Sequence, residues 1–166
     1  DLVVYEMSSF QCWDLKLSSH ISVILRIEPD HLDRHLDFND YISAKANIVL
    51  HQTSNDYCIY YMNNPTSKKI GQKSLGKKST YPIRLYQTEL KQLLDHLTIP
   101  GEHNRENAEA AILAVHDILQ FKLSDLFDQG NQDLYQRIER GLTTFVGLPH
   151  RIQFVRELNQ VRYYDD

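Results

Sequence analysis

HISVILRIEPDHLDRH, His20 to His35, passes from one kind of chemistry to another within sixteen residues. Its first half is β-branched and apolar without strict alternation, the pattern of a strand covered on both faces. Its second half packs Glu28, Asp30, His31, Asp33, Arg34 and His35 together. In open α/β sheets ligands bind just past the carboxyl ends of the strands, so acids and histidines there are candidate site residues. Asp capping of a strand-to-helix turn accounts for part of the same cluster.

Working outward, LVVYE (residues 2–6) reads as a second buried strand, and SSFQCWDLKLSS after it holds a helical turn or two. DFNDYISAKANIVLHQ (37–52) is helical, with Asp37 or Asn39 as cap and Tyr41, Ile42, Ala44, Ile48 and Val49 as its apolar stripe. YCIYYM (57–62) and YPIRLYQ (81–87) read as strands, separated by a polar, lysine-rich loop, TSKKIGQKSLGKKST. Asn104 is placed to cap the helix NRENAEAAILAVHDILQF, and another helix spans about 132–145, stopped by Gly147 and Pro149. The last stretch, RIQFVRELNQVRYYDD, alternates as a hairpin turning at Asn159-Gln160. Strands interleaved with helices predict an α/β fold with a mostly parallel sheet.

Composition excludes several classes. The 166 residues suit one domain with a real core, and 24% charged with 42% hydrophobic residues is the balance of an ordinary globular protein. A net charge of −4 argues against a protein built to hold nucleic acid by its phosphates. Cys12 and Cys58 supply neither a disulfide framework nor a four-thiolate zinc site and fit a reducing compartment. No apolar run approaches the roughly 20 residues of a membrane span, so a cytoplasmic protein without membrane attachment is expected. An opening on DLVVYE, strand-like and without methionine, suggests a fragment entered mid-fold.

Gly71, four residues, then Gly76-Lys77-Lys78-Ser79 nearly spells a phosphate-binding loop. Lys78 occupies the hydroxyl position, and the following YPIRLY reads as strand where a helix is required, so a solvated loop is expected. His31 and His35 have the i, i+4 spacing of zinc ligands on a helix, with Asp30 or Asp33 to complete a set, but no third His or Cys stands at a motif spacing. Lys45 falls near the centre of the apolar stripe of its helix. Burial there favours the neutral amine, available for covalent or acid/base chemistry; a stem packed with its head in water is the alternative. Glu6, at the end of an apolar run, is either a magnesium ligand or a solvated strand end.

YEMSSFQ, IEPDHLDRH, the helix with AKANI, GEHNREN and GLPHR, in that order, resemble the Mur ligases, over almost the whole chain. SSFQ and GLPHR favour the D-glutamate-adding branch. The resemblance implies part of a mononucleotide-binding fold: residues 1–147 as the later part of the central ATP-binding domain, without its phosphate-binding loop, and 148–166 as the first β-hairpin of a carboxyl-terminal domain. It implies ATP, two magnesium ions and a carbon dioxide-derived lysine carbamate as cofactors, with UDP-N-acetylmuramoyl-L-alanine and D-glutamate as substrates. By the same resemblance Glu6 and His31 bind the ions, Lys45 carries the carbamate, and Asn104, Asn107, Arg151 and Asp166 meet the nucleotide. Cys12-Trp13 after SSFQ, and MNNP in place of an acidic pair before proline, depart from the pattern. A different amide ligase, such as another Mur enzyme or a folylpolyglutamate synthetase relative, and a noncatalytic α/β binding module are the alternatives. A fragment of such a sheet is expected to expose an edge and self-associate.

Overall fold

The computed structural model describes residues 1–148 apart from 85, 129 and 131, and residues 153–165, the side chain of Gln153 excepted. Three strands, β1 (Ile21–Ile24), β2 (Tyr57–Tyr61) and β3 (Lys77–Tyr81), form a parallel sheet in the order β1-β2-β3. Ile21 pairs with Tyr57, and Tyr57 with Lys77. Helix α1 (Ser9–Cys12) precedes β1; α2 (Phe38–Leu50) and α3 (Pro65–Gly71) make the two crossovers. α4 (Gln87–Leu94), α5 (Glu102–Leu119), α6 (Leu123–Leu126) and α7 (Gln132–Thr144) follow, then the hairpin β4 (Gln153–Leu158) and β5 (Val161–Asp165).

Strand β2 shows why both faces are covered. Its side chains alternate, sending Cys58 and Tyr60 to one side and Ile59 and Tyr61 to the other, and all four are buried. On the first side they pack with Tyr41, Ile42, Ala46 and Val49 of α2 and Ile70 of α3. On the second, Ile59 and Tyr61 meet Leu90, Leu93 and Leu94 of α4 and Ala108, Ile112 and Leu113 of α5. Small residues on α5 bring its backbone close to the sheet. Burying an isoleucine such as Ile59 fully is worth roughly 1.5–3 kcal/mol, so the central strand anchors two cores at once.

Local chemistry sets the element ends. Asp37 caps α2, its carboxylate accepting from the Asp40 amide at 2.8 Å. Asn64 caps α3 by accepting from the Ser67 amide at 2.8 Å, with Pro65 in the first turn where a missing N–H costs nothing. β1 stops at Ile24, whose carbonyl accepts from Ser67 Oγ at 3.1 Å and from the Tyr81 hydroxyl at 3.0 Å. At the hairpin, Asn159 and Gln160 take φ of 50° and 63°, the two left-handed residues of a tight antiparallel turn.

Four expectations are corrected. Residues 2–5 form no strand: Val4 is 97% exposed, and no strand among the described residues takes up their backbone groups. The lysine-rich stretch is helix α3 followed by strand β3, because its lysines lie on the outward side while Ser67, Ile70 and Tyr81 point inward. YPIRLYQ contributes only Tyr81 to a strand, since Pro82 has no N–H for the ladder and Ile83 donates instead to Glu109 at 2.6 Å. Helix α5 begins at Glu102, with Gly101 as its cap at φ 106°; Asn104 lies inside the first turn. Gly71 and Gly76 therefore join a helix to a strand, the reverse of a phosphate-binding loop. The described residues contain no helix long and apolar enough to cross a membrane.

Gly71 makes the closest approach in this layer, since a Cβ there would lie 2.4 Å from the buried Tyr60 ring. Gly71→Ala is expected to cost about 1–3 kcal/mol by overpacking, measured as a lower midpoint in urea at unchanged slope.

Candidate active site

The carboxyl ends of β1 and β2 carry the site. After Ile24 the chain runs across the top of the sheet. Asn64 ties it down, donating to the Ile27 carbonyl at 3.1 Å and to the Glu28 carboxylate at 3.3 Å. Residues 31–35 then form a turn in which the amides of Arg34 and His35 both donate to the His31 carbonyl. His31 sits at φ 54°, held by its amide bond to Asp30 Oδ1 at 2.8 Å, and its ring is exposed. Sequence spacing placed His31 and His35 on one helix face; the segment is a single turn entered from a left-handed residue, not a helix.

His35 is buried and fully engaged. Its Nε2 is 2.9 Å from Ser9 Oγ and its Nδ1 is 3.1 Å from Asp40 Oδ2, which also accepts from the Leu36 amide. Both ring nitrogens are thereby used, so the zinc pairing of His31 with His35 does not form. The Ser9-His35-Asp40 order imitates a nucleophilic relay, but Ser9 is 2% exposed and Phe10 and Trp13 stack on the imidazole at 5.2 and 4.7 Å. A substrate carbonyl has no path to that hydroxyl.

Lys45 is half-buried on α2, with Nζ 5.1 Å from the centroid of the Tyr41 ring. Tyr41 in turn meets His35 edge to face at 5.2 Å, and Phe10 lies 5.6 Å from His31. A continuous run of ring contacts thus joins His31 to Lys45 through Phe10, His35 and Tyr41. Burial raises the Cys12 thiol pKa, and the nearby positive charge of Lys45 opposes that rise. Glu6 is exposed in the extended segment three residues before Ser9.

A second cluster binds α5 to the top of β1. Arg26 donates to Glu106 through Nε at 3.2 Å and Nη2 at 2.6 Å, and to the Tyr61 hydroxyl at 3.2 Å; that hydroxyl donates to Glu106 Oε1 at 2.6 Å. Burial alone would raise the Glu106 carboxyl, yet its bonds from Arg26 and Tyr61 outweigh that and hold it below the usual range. The same helix turn carries Asn104, whose amide donates to the Pro100 carbonyl at 2.6 Å, and Asn107. Asn107 lines a mainly apolar groove of about 560 Å³ between α5 and α7, together with Ala111, Val115 and Ile138.

The expected residues therefore fall into two groups. His31 and Lys45 belong to one contact network, with Glu6 just upstream of the helix that network fixes; Asn104 and Asn107 belong to the other. Arg151 and Asp166 lie outside the described residues. Among the described residues no group of three or more His, Cys, Asp or Glu is gathered to hold a metal ion. The exposed carboxylate of Glu6 is the oxygen ligand that magnesium takes, an ion that keeps several waters and shares substrate phosphates rather than filling a protein cage, and the imidazole of His31 is likewise open to solvent. Sequence reasoning missed Ser9, Asp40, Arg26, Tyr61 and Glu106. The partners of Ser9, Arg26, Tyr61 and Glu106 are distant in sequence and Asp40 meets His35 across an irregular turn, so only the polar residue Arg26 within an apolar run offered a signal.

Residues 1–115 match the Mur ligase middle domain. The chain is also similar throughout its length to enzymes named UDP-N-acetylmuramoylalanine--D-glutamate ligase: 35% identical to that of Natranaerobius thermophilus, 34% to that of Clostridium kluyveri and 31% to that of Clostridium perfringens. It spans 37%, 36% and 36% of those proteins respectively, little more than a third of each. With a parallel sheet covered on both faces and its polar cluster at the strands' carboxyl ends, the chain belongs to the Mur ligase family.

Proposed function

We propose that this chain is part of an ATP-dependent ligase that joins D-glutamate to UDP-N-acetylmuramoyl-L-alanine in peptidoglycan synthesis. The observation that carries this reading is the run of ring contacts that links His31, in the segment after β1, through Phe10, His35 and Tyr41 to Lys45 of α2, in a chain that D-glutamate ligases match from end to end. In the reaction the substrate carboxylate takes the terminal phosphoryl group of ATP and ADP leaves; the amine of D-glutamate then attacks the acyl carbon, phosphate leaves, and an amide bond forms.

Such chemistry gathers several anions in one place. Glu6 and His31 would hold magnesium, which supplies neutralisation of that charge. Lys45 would react as the neutral amine with carbon dioxide and so present an anion where an ammonium stood. That exchange forgoes the contact with the Tyr41 face, worth about 0.5–1 kcal/mol at an exposed site. Asn107, which lines the apolar groove, would supply the polar edge that adenine needs beside apolar walls; Asn104 supports the same turn. Arg151 and Asp166 would complete the nucleotide contacts. The separate two-stranded sheet of β4 and β5 supports a boundary at residues 147–148, with the hairpin opening the next domain. A cytoplasmic location fits these substrates.

The test is ADP release by the full-length protein. Turnover is expected only with UDP-N-acetylmuramoyl-L-alanine, D-glutamate and magnesium together. Turnover with a different amino acid acceptor would transfer the chain to another amide ligase, and none with any acceptor would leave a binding module.

A further inference from the structure

The geometry points to His35 as the positioning residue of the proposed metal and carbamate site, an inference that rests on the ligase reading. Three segments carry Glu6, His31 and Lys45, and each is tied to this one imidazole. Ser9, which bonds Nε2, begins α1 three residues after Glu6. His35 itself closes the turn that starts at His31. Asp40, which bonds Nδ1, stands in the first turn of α2, the helix of Lys45.

The surroundings make this a stiff joint. The His35 side chain has no exposed surface, and Ser9 is 2% exposed. A capping box between Ser8 and Gln11 fixes the start of α1, and Asn47 of α2 donates to the Cys12 and Trp13 carbonyls, at 3.0 and 2.8 Å. The stacked rings of Phe10 and Trp13, and the edge of Tyr41, leave the imidazole one orientation that serves both of its bonds. Phe10 carries that orientation to the His31 ring and Tyr41 carries it to Lys45. Groups that orient metal ligands from behind typically change affinity or activity by about 10–100-fold when removed.

Binding of Mn²⁺ to the full-length protein, followed by loss of the free-ion signal in electron paramagnetic resonance, tests this directly. Because His35→Ala empties a buried site and endangers folding, the bonds are cut from their other ends. Ser9→Ala and Asp40→Ala are each expected to weaken Mn²⁺ binding about tenfold, and Asp40→Asn, which keeps an acceptor oxygen, to stay within about threefold of wild type. Unchanged Mn²⁺ affinity in both alanine variants, whatever their melting temperatures, would reduce His35 to a support of the fold and overturn the inference. Wild-type protein that turns over D-glutamate but binds no Mn²⁺ would overturn it while leaving the ligase reading intact; absence of both would remove that reading too.

Discussion

Lys45→Ala in the full-length protein is expected to lower D-glutamate-dependent ADP release by roughly 10²–10³-fold, the scale seen when one group that stabilises developing charge is removed. The side chain shares its face of α2 with the buried residues Tyr41, Ile42 and Val49, where packing alone calls for an apolar residue. Its Nζ rests on the Tyr41 ring, one contact away from His35. Two roles fit that place: a stem that packs, or an amine that becomes a carbamate. Lys45→Met separates them, since methionine keeps most of the stem and loses the nitrogen. Methionine is expected to be as inactive as alanine, with activity in the alanine variant partly restored by formate or acetate and wild-type activity dependent on bicarbonate. An active Lys45→Met protein would make the residue a packing element.

How far the sequence carries the reader depends on what each residue does. β1, β2 and α2 were legible because their apolar residues follow a recognisable pattern: Cys58 to Tyr61 is a continuous apolar run, α2 carries an apolar stripe, and Asp37 stands where a cap should. β3 was not, because Lys77 and Lys78 begin an outer strand whose start faces water, and their charge reads as loop. The signal for α3 was present in Asn64-Pro65, a cap followed by the residue best suited to the first turn, but the lysines outweighed it. LVVYE shows the converse. β-branched residues state a preference, whereas a strand also needs a neighbour for its backbone groups. Within the site, Lys45 announced itself as a charge on an apolar stripe. The Ser9-His35-Asp40 bonds did not, since Ser9 and His35 are 26 residues apart and no spacing rule connects them.

Removal of the Arg26 guanidinium is expected to give the largest change in stability, and one whose size depends on pH. Glu106 is 8% exposed; Arg26 is the cation bonded to it, and the Tyr61 hydroxyl donates a further hydrogen bond. Arg26→Leu leaves that carboxylate desolvated without a cation. Breaking a fully buried pair costs about 3–5 kcal/mol, and because the Arg26 side chain is 47% exposed the effect is discounted to roughly 2–3 kcal/mol at pH 7. In the wild type the Glu106 pKa lies below its ordinary value, so its contribution is present above that value and is lost as pH falls through the folded one. In the variant, burial dominates and the folded pKa moves upward, so the protein is penalised at neutral pH and relieved as the carboxyl takes up a proton. The gap in unfolding free energy between the two proteins should therefore be widest near neutrality and close as pH falls through the depressed folded pKa of Glu106 in the wild type. Urea denaturation at a series of pH values measures it. A gap that stays constant across that range would show that Arg26 contributes through its guanidinium resting over the Tyr61 ring rather than through Glu106. Since Glu106 lies one residue before Asn107 and two after Asn104, the same loss of charge pairing should loosen the turn proposed to meet the nucleotide, raising the KM for ATP in Arg26→Leu more than it lowers kcat.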